Sequence, residues 1–244
     1  MVRLGHARRP ARDASILAMN NAKPPFDDIR VREAIGHAID RKAIIDGAMF
    51  GYGTPIGSHF PPHHPAYVDM TAATSFDPAL ARTMLAEAGL PDGFKARLVL
   101  PPPPYARRGG EIVAAQLRAV GIETEIQNVE WAQWLEQVFK NKDYDLTIVS
   151  HTEPMDIGIY ARDDYYFGPA DPVVKALMDG METMTDPEDR AEVLAAVQRR
   201  VADRATNVFL FQLPKTGVAD ARIQGLWENM PTQANDMTGV YWTE

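Results

Sequence analysis

The chain reads as an α/β protein with a mixed sheet flanked by helices, and three observations carry that reading. Strand, helix, strand, helix and strand alternate between residues 94 and 150, the rhythm of a parallel or mixed sheet. Residues 146–150 form a short, continuous apolar run of the kind buried on both faces. Capped amphipathic helices lie on either side of this block. With 244 residues, 45% of them hydrophobic and 24% charged, the chain can bury a substantial core.

Each element has a local reason. Asp27 and Asp28 precede Val31, Ala34, Ile35, Ala38 and Ile39, a one-sided helical stripe. Asp40 caps a short helix over 41–46. Asp77-Pro78 supplies a cap and a first-turn proline ahead of Leu80, Met84, Leu85 and Ala88, with Gly89 as the stop. Residues 94–100 form a strand, 111–120 a helix closed by Gly121, and 122–129 another strand. Trp131, Trp134, Leu135 and Val138 then share one helical face. Further on, Val174, Leu177, Met178 and Met181 mark one helix, and Asp186-Pro187 opens a longer one bearing Val193, Leu194, Val197 and Val201. Residues 207–213 form a last buried strand, and the chain is irregular from Gln224.

Composition excludes several functions. A net charge of −8 with no recurring basic stripe argues against a nucleic-acid partner. The exception is the start, where Arg3, Arg8, Arg9 and Arg12 cluster in what reads as a basic tail over 1–13, ahead of one domain at 14–244. That tail lacks the apolar stretch of a signal peptide, and no apolar run of about 18 residues exists to span a membrane. The absence of cysteine excludes disulfides, thiolate catalysis and cysteine-type zinc sites.

Two strands end in loops dense in polar and aromatic residues, where an open α/β sheet places its ligand. After the first come Tyr105, Arg107 and Arg108. After the second come His151, Glu153 and Asp156, then Tyr160, Tyr165, Tyr166 and Phe167. Cations on one loop and anions on the other suit a ligand that carries both charges. Gly109-Gly110 would let that ligand near the backbone, or open the helix at 111. Trp131, at a helix start beyond a strand, reads equally as contact or core, and Trp134 as core. The tyrosines line a pocket, cover the sheet or meet a further lobe. His59, His63 and His64 raise a metal possibility, but adjacent histidines on a proline loop rarely converge on one ion. They read as a solvent loop, so neither metal nor cofactor is expected. No Gly-x-Ser-x-Gly, His-Glu-x-x-His or phosphate-binding glycine motif occurs. Ser150 and His151, as strand neighbours, point to opposite faces.

Several blocks then form a pattern. They are Asn20, residues 24–35, Ala38-Ile39-Asp40-Arg41, Gly51-Tyr52-Gly53-Thr54-Pro55, Ala86-Glu87-Ala88-Gly89, residues 116–122, Tyr144-Asp145-Leu146 and residues 186–190. In order and spacing they resemble the extracytoplasmic solute-binding proteins of family 5, the peptide, oligopeptide and nickel receptors of ABC importers. The likeness covers roughly residues 16–230. It implies a periplasmic-binding-protein-like (type II) lobe that is no enzyme. Such a lobe captures a peptide or small zwitterionic solute for ABC permease subunits, in the periplasm or another extracytoplasmic space. Family members usually run much longer, so the chain reads as the C-terminal lobe at 14–244, with the N-terminal lobe missing and residues 1–13 outside the pattern.

The resemblance also implies roles. An acid soon after the last sheet strand meets the solute's α-amino group, with Glu153 the nearest match and Asp156 the second. Arg107 and Arg108 grip a carboxylate, and Tyr105 stacks on a solute side chain. The open alternatives are loop-capping acids, ordinary surface arginines, a folded remnant that binds nothing, and a small hydrolase. Closure of two lobes about a hinge is the expected motion.

Overall fold

The longest strands, β1 (Leu4–Met19) and β6 (Asn207–Asp220), pair antiparallel in the middle of a six-stranded mixed sheet. On the far side of β1 lies β5 (Leu146–His151), again antiparallel, followed by β3 (Phe94–Leu100) and the edge strand β4 (Ile122–Asn128), both parallel to β5. The short β2 (Thr54–Pro55) pairs with β6, so the order is β2-β6-β1-β5-β3-β4. Outside the sheet, β7 (Ile223–Gln224) and β8 (Tyr241–Trp242) form a small ribbon. This computed structural model describes residues 4–151, 156–226 and 237–243, with the backbone alone for 4–13 and 214–218.

Helices cover both faces. On one lie α1 (Ile29–Ala38), α2 (Arg41–Met49), α3 (Pro78–Glu87) and α4 (Pro104–Ala119). Their Val31, Ile35, Ile44, Leu85 and Leu117 pack with Leu17, Leu98, Leu100 and Ile148 of the strands. The other face holds α5 (Trp131–Trp134), a π-helical turn (Leu135–Lys140), a 3-10 turn (Asp156–Ala161), α6 (Pro172–Met181) and α7 (Pro187–Asp203). Strand alternation explains the split: Leu98 and Leu100 face the first set of helices and Val99 the second. Each such fully buried aliphatic side chain contributes about 1.5–3 kcal/mol of transfer free energy.

The caps perform as their sequence implies. Asp28, Asp40, Asp77 and Asp186 each accept a backbone N–H of the helix they open, and Asp171-Pro172 repeats the device at α6. Among the described residues no helix is long and apolar enough to cross a membrane.

Three expectations are corrected. The helix expected over 111–120 begins at Pro104, whose fixed φ suits a first helical position, so Arg107, Arg108 and both glycines are helical. Gly110 is there for packing: a Cβ would stand 2.3 Å from Leu100 Cδ1. The tryptophan stripe splits at the π-helical turn, leaving Trp134 and Val138 buried while Trp131 and Leu135 are exposed. Residues 4–13, expected to lie outside the fold, form the first part of β1 and pair with 214–220 of β6.

Candidate functional site

Because β3, β4 and β5 run parallel, their carboxyl ends at Leu100, Asn128 and His151 lie on one rim of the sheet. Ala14 of β1 pairs with His151 and Gln212, so β1 and β6 continue past that rim as a two-stranded ribbon.

On the β3 side of the rim stands the first turn of α4. Arg107 Nη2 donates to Val129 O at 3.2 Å and to Glu130 Oε1 at 3.0 Å, while its Nε is buried without a hydrogen-bond partner. The guanidinium is thus anchored at one edge only. Arg108 points elsewhere: it is exposed, with its guanidinium 5.4 Å from the Phe50 ring at the end of α2. Helical periodicity separates these neighbours by about 100°, so a shared grip on one carboxylate is not what the structure assembles. Tyr105 packs against the core, and its hydroxyl accepts the Ser150 N–H at 3.1 Å. It bridges two strand ends instead of presenting a free ring. Trp131, 42% exposed, opens the helix beyond β4 and meets Trp134 edge to face at 5.7 Å. Trp134 is core, and its Nε1 donates to Thr147 Oγ1 at 2.9 Å.

The β5 side holds a chain of polar groups that sequence reasoning missed. Asp156 Oδ1 lies 2.6 Å from His59 Nε2, and Oδ2 lies 3.2 Å from His151 Nδ1. Beyond the imidazoles, Tyr160 OH stands 3.3 Å from His59 Nδ1 and Tyr166 OH 3.2 Å from His151 Nε2. Burial disfavours ionised Asp156, but hydrogen bonds from His151 and His59, with their charge interactions, hold its carboxyl far below the usual range. Both oxygens are therefore committed inside the protein. Asp156 is a clasp between the loop before α3 and the turn after β5, not a free anchor for a solute ammonium. Glu153, the other acid, lies outside the described residues.

The expected aromatic wall is core as well. Tyr160, Tyr165 and Tyr166 pack with Trp134, Phe167 and Val174, and burial pushes the Tyr160 and Tyr166 hydroxyls upward. The histidine loop is a solvent loop only in part, with His63 exposed and His64 half-buried. His59 is 3% exposed, His64 stacks on Phe60 at 3.9 Å, and His63 Nδ1 lies 3.3 Å from Gln212 Nε2. Ile56 and Phe60, apolar residues spaced between prolines and histidines, were the available sign of burial. Among the described residues no group of three or more His, Cys, Asp or Glu is arranged to hold a metal ion.

Residues 3–170 match the family described as bacterial extracellular solute-binding proteins, family 5 middle. The chain belongs to that family. Among curated relatives, Heme-binding protein A of Haemophilus influenzae is 34% identical over 127 residues, covering 50% of this chain and 23% of that protein. The Dipeptide-binding protein of Escherichia coli is 33% identical over 133 residues, covering 52% of this chain and 25% of that one. These family 5 relatives are binding proteins. The fold is also that of part of several solved binding-protein structures. A Pseudoalteromonas dipeptide binding protein in complex with Met-Leu superposes with TM-score 0.83 at 22% identity, covering 98% of this chain and 50% of that one. A putative peptide binding protein from Clostridium difficile gives 0.87 at 17% identity, with coverages of 98% and 53%. The family 5 chain thus spans about half the length of the structures it matches, as a type II periplasmic-binding-protein lobe.

Proposed function

We propose that this family 5 chain is one lobe of an extracytoplasmic receptor that captures a peptide or peptide-like zwitterion and passes it to ABC permease subunits. In this reading a second, N-terminal lobe completes the site, and closure of the two encloses the solute. The observation that carries it is the rim beside β3 and β4. There Arg107, anchored at one edge through Val129 O and Glu130 Oε1, shares the rim with the exposed Trp131, which follows Glu130 in the chain. A guanidinium fork suits a carboxylate, and an exposed indole suits the solute's apolar part. Glu153 is the proposed partner of the solute's amino group.

No covalent step is part of this function. A hydrolase would need Ser150 activated by a base, yet Ser150 Oγ pairs with Ser15 Oγ at 3.3 Å while His151 is engaged by Asp156 and Tyr166. Calorimetry against di- and tripeptides tests the proposal. Saturable heat is expected, with Arg107→Ala weakening affinity about tenfold to a hundredfold for free carboxylates and little for amidated peptides. Silence from every peptide would favour a folded lobe that binds nothing by itself. Release of cleaved product would favour the hydrolase.

A further inference from the structure

Away from the rim, the fold buries two guanidiniums that no carboxylate pairs with directly. Arg32 on α1 and Arg41 at the start of α2 are 6% and 8% exposed. Among the described residues neither forms an ion pair. Their acceptors are neutral. Arg32 donates to the carbonyls of Ala205 at 3.1 Å, Phe26 at 2.8 Å and Arg204 at 2.9 Å. Arg41 donates to Phe209 O at 2.7 Å, Thr74 O at 2.8 Å and Thr74 Oγ1 at 2.7 Å. Such bonds satisfy N–H groups but leave two positive charges in a medium that solvates them poorly. Burial alone pushes Arg41 down to about 10, with no acid to offset it. Burial also lowers Arg32, with Arg204 adding to the effect and Asp28, Glu33 and Asp27 opposing it.

Both side chains line one cavity of about 20 Å³, and no acid lines it. Asn207, 4% exposed, lines it too; its amide atoms make no hydrogen bond of ordinary geometry, although the side chain interacts with the Tyr160 hydroxyl. The remaining walls combine the small residues Gly36, Gly57 and Ala73 with the larger Met70, Val208 and Phe209. A Cβ on Gly57 would stand 2.1 Å from Met70 C and Thr71 N, so the wall cannot widen without moving backbone. The space holds one particle about the size of a water molecule.

We propose that this cavity binds a single halide-sized monovalent anion, with chloride the natural occupant, held by Arg41, Arg32 and the Asn207 amide N–H. Water would serve the amide but leave the Arg41 charge uncompensated. Oxyanions and carboxylates exceed the space. An anion here ties α1, α2, the 70–74 turn, the end of α7 and the start of β6 together, independently of solute capture.

Thermal unfolding in sodium bromide, against sodium gluconate at equal ionic strength, tests the site. The midpoint should rise by about 3–5 °C for each tenfold increase in bromide above its Kd. Asn207→Asp places a carboxylate where the anion would sit. It should be at least as stable as the unaltered protein in gluconate, and its midpoint should not respond to bromide. Crystals soaked in bromide should show an anomalous peak between Arg41 and Asn207. Absence of that peak overturns the proposal, as does a full bromide response retained by Asn207→Asp. Should that variant fail to fold, the anomalous map of the unaltered protein decides alone.

Discussion

Burial by itself would favour a protonated Asp156, and the hydrogen bonds from His151 and His59 reverse that preference. Asp156→Ala strips both imidazoles of their partner and should cost about 2–3 kcal/mol at neutral pH, measured by urea unfolding. The sign of the pH dependence follows from the depressed carboxyl. A group that titrates lower in the folded protein than the ordinary value of about 3.9 adds stability that is complete above about pH 5. That stability is lost as pH falls through the folded value, so the gap between the two proteins should narrow steadily below about pH 4. The sequence placed Asp156 after the last parallel strand, but not its partners. His59 lies 97 positions earlier, in a stretch whose prolines and histidines look like a surface loop. Only the fold sets the two beside each other.

Among the elements, the short helix after β4 separates contact from core most sharply. Trp134→Phe removes both part of a packed core ring and the donor to the buried Thr147 hydroxyl, and should destabilise by about 2–3 kcal/mol. Trp131→Ala should stay within about 0.5 kcal/mol of the parent in stability, while weakening peptide affinity in calorimetry. The helix starts at Asp28, Asp40, Asp77 and Asp186 were readable from local chemistry, because an aspartate cap needs only the next few residues. The start of α4 was not, since four successive prolines read as a loop until Pro104 is recognised as a first helical residue. The π-helical turn left no local mark either. Leu135, at its start, is exposed while Trp134 and Val138 are buried.

On the scale of the whole molecule, strands 94–100 and 146–151 fixed the rim's position because alternation and apolar runs are local signals. The first part of β1 was hidden, since its pairing with residues 214–220 is a contact across the full chain. Among the residues whose side chains are described, the core begins at Ala14, and deleting residues 1–13 should leave a cooperative unfolding transition with its midpoint lowered by no more than about 2–4 °C in calorimetric scans. One small contact has a wider reach. The Tyr105 hydroxyl takes the amide proton of Ser150, so the helix that carries Arg107 is fastened to the strand that ends at His151. A tug on one jaw is passed to its neighbour through that phenol. Energies lost by altering each jaw separately should therefore fail to sum when both are altered together.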